Sequence, residues 1–175
     1  MKEARPTTGK VLQALFNILG PLEEQGFLDL FSGTGKVAKE ALNRGASPVV
    51  AVEIVKARCR EIDKFLSVGN EHNKKVLCMN IRRALRWLDK KGYSFHIVFA
   101  DPPYDNGWGK DLPLLLSSYG SLLAPDGIII IEHSADESVV TENTNLKKTD
   151  QRKYGNTVLD ILVKDHPGKY GSESE

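Results

Sequence analysis

The chain predicts an α/β domain on one mostly parallel sheet, with helices on both faces and an antiparallel hairpin at its C-terminal end. Three observations carry that prediction. Short apolar runs suited to buried strands alternate with amphipathic stretches, as in successive βα units. A glycine-rich segment stands where the first strand turns into its helix. The last two strand-like runs, Leu146 to Tyr154 and Thr157 to Lys164, are joined through Gly155-Asn156, a hairpin connection.

Each element follows from local chemistry. Thr7 or Thr8 can cap a first helix running to about Leu19, with Leu12, Leu15, Phe16 and Leu19 on one face and Gly20-Pro21 as its stop. Gly26 to Phe31 reads as the first strand and Lys36 to Arg44 as its crossover helix. Pro48 to Glu53 is the second strand, followed by a helix from Val55 to about Val68. A short third strand, Val76 to Met79, leads into a basic helix from Ile81 to Lys91. The uncharged core of Phe95 to Ala100 suits a strand in the middle of a covered sheet. A proline- and glycine-containing loop follows, and a helix is expected to begin near Pro113, a residue suited to a first turn. Asp126-Gly127 reads as a turn before a fifth strand, Ile128 to Glu132. Residues 1–164 are expected to form a single domain, and 165–175 a flexible tail.

Composition narrows the functional classes. Of 175 residues, 41% are hydrophobic and 27% charged, ordinary for one globular domain. No apolar run approaches the length of a membrane span, and Met1 to Lys10 lacks the apolar segment of a signal peptide, so a cytoplasmic protein is expected. Cys59 and Cys78 have no CxxC partner and read as buried small apolar side chains, with no metal site. The net charge of +1 announces no nucleic-acid partner, but basic residues gather at Lys74-Lys75, at Arg82, Arg83 and Arg86, at Lys90-Lys91 and from Lys147 to Lys153.

Two segments carry chemistry. In the first, Asp29, Phe31, Ser32, Gly33, Thr34 and Gly35 lie at the end of the first strand, where open α/β sheets bind ligands. The two glycines permit a tight turn and close approach to a ligand. Glu53, ending the second strand, is placed to accept hydrogen bonds from the ribose hydroxyls of an adenosine cofactor. Gly33, Gly35 and Ala38 also satisfy a G-x-G-x-x-A dinucleotide fingerprint, so a nicotinamide enzyme competes at this point. Asp29 favours S-adenosylmethionine, since it can hold the loop backbone or the amino group of that cofactor. Asn80, after the third strand, is placed to meet the adenine edge or to serve as a turn residue.

The second segment is Asp101-Pro102-Pro103-Tyr104 after the fourth strand. The prolines stiffen the backbone and aim carbonyl oxygens at a fixed point. An exocyclic amine on a nucleobase is a poor nucleophile because its lone pair is delocalised into the ring. If the Asp101 carboxylate and the Pro102 carbonyl each accept one N–H, the lone pair is freed to point at an activated methyl. Tyr104 offers a flat face on which an unpaired base can stack.

Four segments together resemble the bacterial 16S ribosomal RNA guanine-N2 methyltransferases of the DPPY class. They are Arg5-Pro-Thr-Thr8 leading into Leu15-Phe16-Asn17, Asp29 to Gly35, Asp101 to Tyr104, and Arg152 to Asn156. The resemblance implies a Rossmann-like seven-stranded methyltransferase sheet, S-adenosylmethionine as methyl donor, and action on ribosomal RNA or a small-subunit assembly particle by a monomer. It adds Arg5 and Thr7 at the methionine end of the donor, and Ile54 and Ile81 beside Glu53 and Asn80. Members usually carry a glycine- and arginine-rich β-hairpin ahead of the Arg-Pro-Thr segment. Here four residues precede Arg5, so donor binding is expected to be kept and RNA contact to be weakened. An adenine-N6 methyltransferase and a non-catalytic cofactor-binding relative remain the alternatives. His133 reads as a structural or surface histidine, and Trp108 as either a cover for the site or a packing residue.

Overall fold

The computed structural model describes residues 9–69, 73–103 and 106–165. In chain order the elements are α1 Gly9–Leu19, β1 Phe27–Asp29, α2 Lys36–Asn43, β2 Val49–Glu53, α3 Lys56–Ser67, β3 Lys74–Cys78, α4 Ile81–Lys90, β4 Phe95–Ala100, α5 Trp108–Ser117, β5 Leu123–Ser134, β6 Leu146–Tyr154 and β7 Thr157–Lys164. The strands form one sheet in the order β3-β2-β1-β4-β5-β7-β6. Strands β1 to β5 run parallel, while β7 pairs antiparallel with both β5 and β6. The order reverses after β1, so the carboxyl ends of β1 and β4 lie side by side.

Alternation along the strands divides the core into two layers. Leu28, Val50, Val98, Ile129 and Ile131 pack against α4 and α5. Phe27, Val49, Ala51, Ile97 and Phe99 pack against α1, α2 and α3. Both faces of β1 and β2 are therefore covered, and every residue of those two strands is buried. Among the described residues no helix is long and apolar enough to cross a membrane.

Four local expectations need correction. First, β1 has three residues, but the next stretch stays sheet-like: the Leu30 N–H donates to Phe99 O and the Ser32 N–H to Val52 O, both at 2.9 Å. Second, Asp126-Gly127 does not separate a loop from a strand. It lies inside β5, where the register with β4 slips between the Phe95–Leu123 and Ile97–Ile128 pairs.

Third, α5 begins at Trp108, which puts Pro113 inside the helix. An interior proline leaves the carbonyl four residues earlier without its amide donor. Here that carbonyl belongs to Gly109, and it accepts the N–H of Val140 at 2.9 Å instead. Gly109 also allows the approach, since a Cβ there would lie 2.1 Å from the Ser138 carbonyl oxygen. Fourth, only Cys59 is buried; Cys78 is exposed, on the sheet-edge strand β3. Burial pushes the Cys59 thiol up to about 12.

The expected caps Thr7 and Thr8 lie outside the described residues, as does the tail beyond Asp165. Asp165 itself is held, its N–H donating to Asn145 O at 2.7 Å.

Candidate active site

The switch between β1 and β4 gathers most of the residues singled out from sequence. Asp29 closes β1 in register with Phe99 of β4, and Asp101 follows two residues later. Asp29 is 1% exposed, and among the described residues neither of its carboxylate oxygens has a hydrogen-bond partner. Burial raises its pKa to about 7, and the nearby Asp101 carboxylate raises it further. The Ser32 hydroxyl and the amides of Phe31 and Ala38 offset part of this from nearby. None of them forms a hydrogen bond to the carboxylate, and the Ser32 hydroxyl donates to the Asp29 backbone carbonyl at 3.1 Å. Asp101 is half-buried, and burial lifts its pKa to about 7 as well. A buried carboxylate without partners is costly to keep ionised, so two at one strand crossing suit a cation or a cluster of N–H donors.

Glu53 does more than wait for a ligand. Its Oε2 accepts the Gly33 N–H at 3.0 Å and its Oε1 the Val55 N–H at 2.8 Å. One carboxylate thus ties the glycine loop to the end of β2. Each oxygen still has a lone pair for a further donor. The two loop glycines have separate reasons. Gly33 adopts φ 55°, and a Cβ there would meet nothing within 4 Å, so space beside it is open. Gly35 adopts φ 78°, and a Cβ there would come 3.1 Å from Ile62 of α3. Its demand is helix packing as well as the turn.

The neighbouring positions sort by exposure. Ile54 is 66% exposed directly after Glu53, an apolar surface beside the loop. Phe31 and Gly33 are half-buried, Ser32 is buried and Thr34 is exposed. Asn80 caps α4, its Oδ1 accepting the Arg83 N–H at 3.0 Å, and Ile81 is buried in the core beneath that helix. Pro102 is buried and Pro103 exposed. Arg5, Thr7 and Tyr104 lie outside the described residues.

Two features escaped sequence reasoning. Trp108 stands edge-on to Phe31, with ring centroids 5.4 Å apart, and the Arg82 guanidinium lies 5.9 Å from the Trp108 ring. No spacing links residues 31, 82 and 108; only the meeting of the β1–α2 loop, α4 and α5 does. The second is the mutual influence of Asp29 and Asp101, which strand order alone could have revealed. His133 is buried rather than exposed, donating through Nε2 to Asp160 at 2.9 Å. Among the described residues no cluster of three or more His, Cys, Asp or Glu could hold a metal.

Comparison with known proteins agrees with this geometry. Residues 1–163 match the family model described as Conserved hypothetical protein 95. The Escherichia coli ribosomal RNA small subunit methyltransferase D is 30% identical, over 94% of this chain and 82% of its own. A candidate rRNA methyltransferase of Bacillus subtilis, YlbH, is 32% identical over 91% of this chain and 88% of its own. The solved structure of a candidate methyltransferase, yhhF from Escherichia coli, superimposes with a TM-score of 0.80 at 28% identity, covering 93% of this chain and 89% of that one. The chain belongs to the Conserved hypothetical protein 95 family, together with ribosomal RNA small subunit methyltransferase D.

Proposed function

We propose that this chain is an S-adenosylmethionine-dependent methyltransferase acting on the exocyclic N2 of a guanine in small-subunit ribosomal RNA. The observation that carries the proposal is the partnerless buried carboxylate of Asp29 beside Asp101, at the strand crossing that also holds the glycine loop. The relatives named for rRNA methylation supply the substrate class.

The residues present fit the donor. Asp29 offers two unused acceptor oxygens for an ammonium group, and the space beside Gly33 is open. Glu53 keeps lone pairs for ribose hydroxyls while it holds the loop, and exposed Ile54 offers a face for adenine. Asn80 retains its amide NH2 for the base edge, and Ile81 backs it. Arg5 and Thr7 are assigned to the methionine end. When bound, S-adenosylmethionine supplies a methyl group already activated by its sulfonium.

The protein's own work is orientation and charge. Asp101 and the Pro102 carbonyl each accept one N–H of the guanine amine, which localises its lone pair. Pro103 fixes the backbone between them and Tyr104, and Tyr104 stacks on the extruded base. A carboxylate next to a cation ionises more readily, so both acids become anionic in the loaded site. The proton leaving the amine passes to Asp101 or to water. No covalent intermediate on the protein is needed. Residues 1–164 act as one catalytic domain, as a cytoplasmic monomer, on an assembling small-subunit particle.

The test uses methyl-labelled donor, unmethylated small-subunit particles and the Asp101→Ala variant. N2-methylguanosine should form with the native chain and fall by at least about a hundredfold in the variant. With native protein, kcat/KM should rise with pH toward about 7 and then level, as Asp101 ionises. Labelled N6-methyladenosine, or no transfer despite donor binding, would overturn the guanine reading.

A further inference from the structure

The densest run of positive charge lies on and beside α4. Residues 74–91 hold seven Lys and Arg against a single Asp, although the whole chain nets only +1. Lys74 turns away, forming an ion pair with Asp63 of α3. The others gather on and beside α4. That helix buries Ile81, Ala84, Leu85 and Leu88, which forces Arg82, Arg86 and Lys90 into one outward row at four-residue spacing. Arg83 lies beside the row, and all four side chains are exposed.

Among the described residues none of the four forms an ion pair. The one acid of the helix, Asp89, accepts a hydrogen bond from the Ser121 hydroxyl. Lys75 and Lys91 flank the Trp87 ring at 5.7 and 5.9 Å, adding charge along the same helix. Cations kept together without counter-charges repel one another, and a polyanion removes that cost.

The row also has a direction. Arg82, in the first turn of α4, is at the carboxyl edge of the sheet, over Trp108. Trp108 in turn touches Phe31 of the glycine loop. From there Arg86 and Lys90 lead away over about 12 Å, at the helical rise of ~1.5 Å per residue. Guanidinium groups suit phosphate oxygens through paired donors, and the Arg82–Trp108 pair offers a flat surface to an unpaired base.

We propose that the Arg82–Arg86–Lys90 row, with Arg83 and Lys75 beside it, seats the RNA sugar–phosphate backbone that leads to the reacting nucleotide past Trp108. The proposal rests on RNA being the substrate and assigns the path along which that RNA lies. A strand running down this helix would cross the α4–α5 face of the sheet and leave the α2–α3 face free.

The test compares two double variants with equal charge change, Arg86→Glu with Lys90→Glu on α4 and Arg60→Glu with Lys64→Glu on exposed α3. Binding of a short fluorescein-labelled single-stranded RNA is followed by anisotropy over a series of KCl concentrations. The α4 pair should weaken binding at least about tenfold and flatten the log K against log salt slope by about 1.4, from two lost phosphate contacts. The α3 pair should change affinity less than about threefold. Affinity for S-adenosylhomocysteine, measured by calorimetry, should be unchanged in both. Should the glutamates perturb α4 in circular dichroism, Arg86→Gln with Lys90→Gln should still weaken RNA binding and flatten the slope. Equal loss in both pairs, an unchanged slope in the α4 variants, or polyglutamate binding as tightly as RNA would overturn the proposal. Absence of methyl transfer by the native chain would instead defeat the enzymatic reading, and the binding comparison would still decide this one.

Discussion

Asp29 and Asp160 are both buried carboxylates of the same sheet, at 1% and 0% exposure, and the structure treats them in opposite ways. Burial alone would raise Asp160, but hydrogen bonds from His133, Lys148 and Gln151 outweigh it, and its pKa is held below the usual range. Three donors surround it: His133 Nε2 at 2.9 Å, Lys148 Nζ at 2.9 Å and Gln151 Nε2 at 2.7 Å. The second ring nitrogen of His133 faces the Ser134 carbonyl oxygen at 2.8 Å, so both nitrogens meet acceptors and the charged imidazolium is favoured. Burial lowers the His133 pKa, but these contacts raise it more. At Asp29 the nearby Ser32 hydroxyl and the Phe31 and Ala38 amides offset only part of the cost of burial, and no hydrogen bond reaches its carboxylate among the described residues. A fold able to satisfy one buried aspartate that completely leaves the other without a hydrogen bond to its carboxylate, the difference expected if Asp160 is architecture and Asp29 receives the donor proposed above.

The largest test of that contrast is Asp160→Ala. Removing one member of a buried charged network strands the others, at a cost of about 3–5 kcal/mol. A steep loss in urea midpoint is expected, and an unchanged midpoint would erase the distinction. Asp29→Asn should act in the other direction. A carboxyl whose folded pKa is raised to about 7 stabilises the fold most below its unfolded value near 3.8 and loses that contribution as pH climbs through 7. The amide cannot ionise, so Asp29→Asn should be more stable than the native chain at pH 8, by up to about 4 kcal/mol. That gain should vanish near pH 4, while affinity for S-adenosylmethionine drops at least about tenfold. Destabilisation at pH 8 would show that Asp29 is structural after all. The smallest effect belongs to Gln151→Ala, which removes one exposed donor from Asp160 and should cost about 1 kcal/mol without touching donor affinity.

Much of this was legible in the sequence, because local rules govern it. Apolar runs and glycine stops located the strands, and Asp29, Gly33, Glu53 and Asp101 fell at strand ends that parallel topology brings to one edge. What stayed hidden depends on contacts between distant segments. Pro113 reads as a helix start because proline favours a first turn, and only the amide of Val140 makes it tolerable within α5. Cys78 reads as buried because a free cysteine behaves as a small apolar side chain, yet its strand is an edge. The partners of Asp160 come from β5 and β6, 9 to 27 residues away, so no motif contains them. Arg82 reads as part of a basic helix face, and its link to the glycine loop is hidden until Trp108 and Phe31 are found against it.

The Gly109–Pro113 arrangement also sets what can vary at the start of α5. The end of β4 is held by its pairing with β5, and Trp108 opens a helix whose free carbonyl is claimed by Val140. Those two ends are therefore fixed in place, and positions 109 and 113 have little freedom to vary. A side chain at 109 collides with the Ser138 carbonyl, and an ordinary residue at 113 would compete with Val140 for the same oxygen. Divergence at either should come paired with divergence at 138–140, which keeps the start of α5 in place.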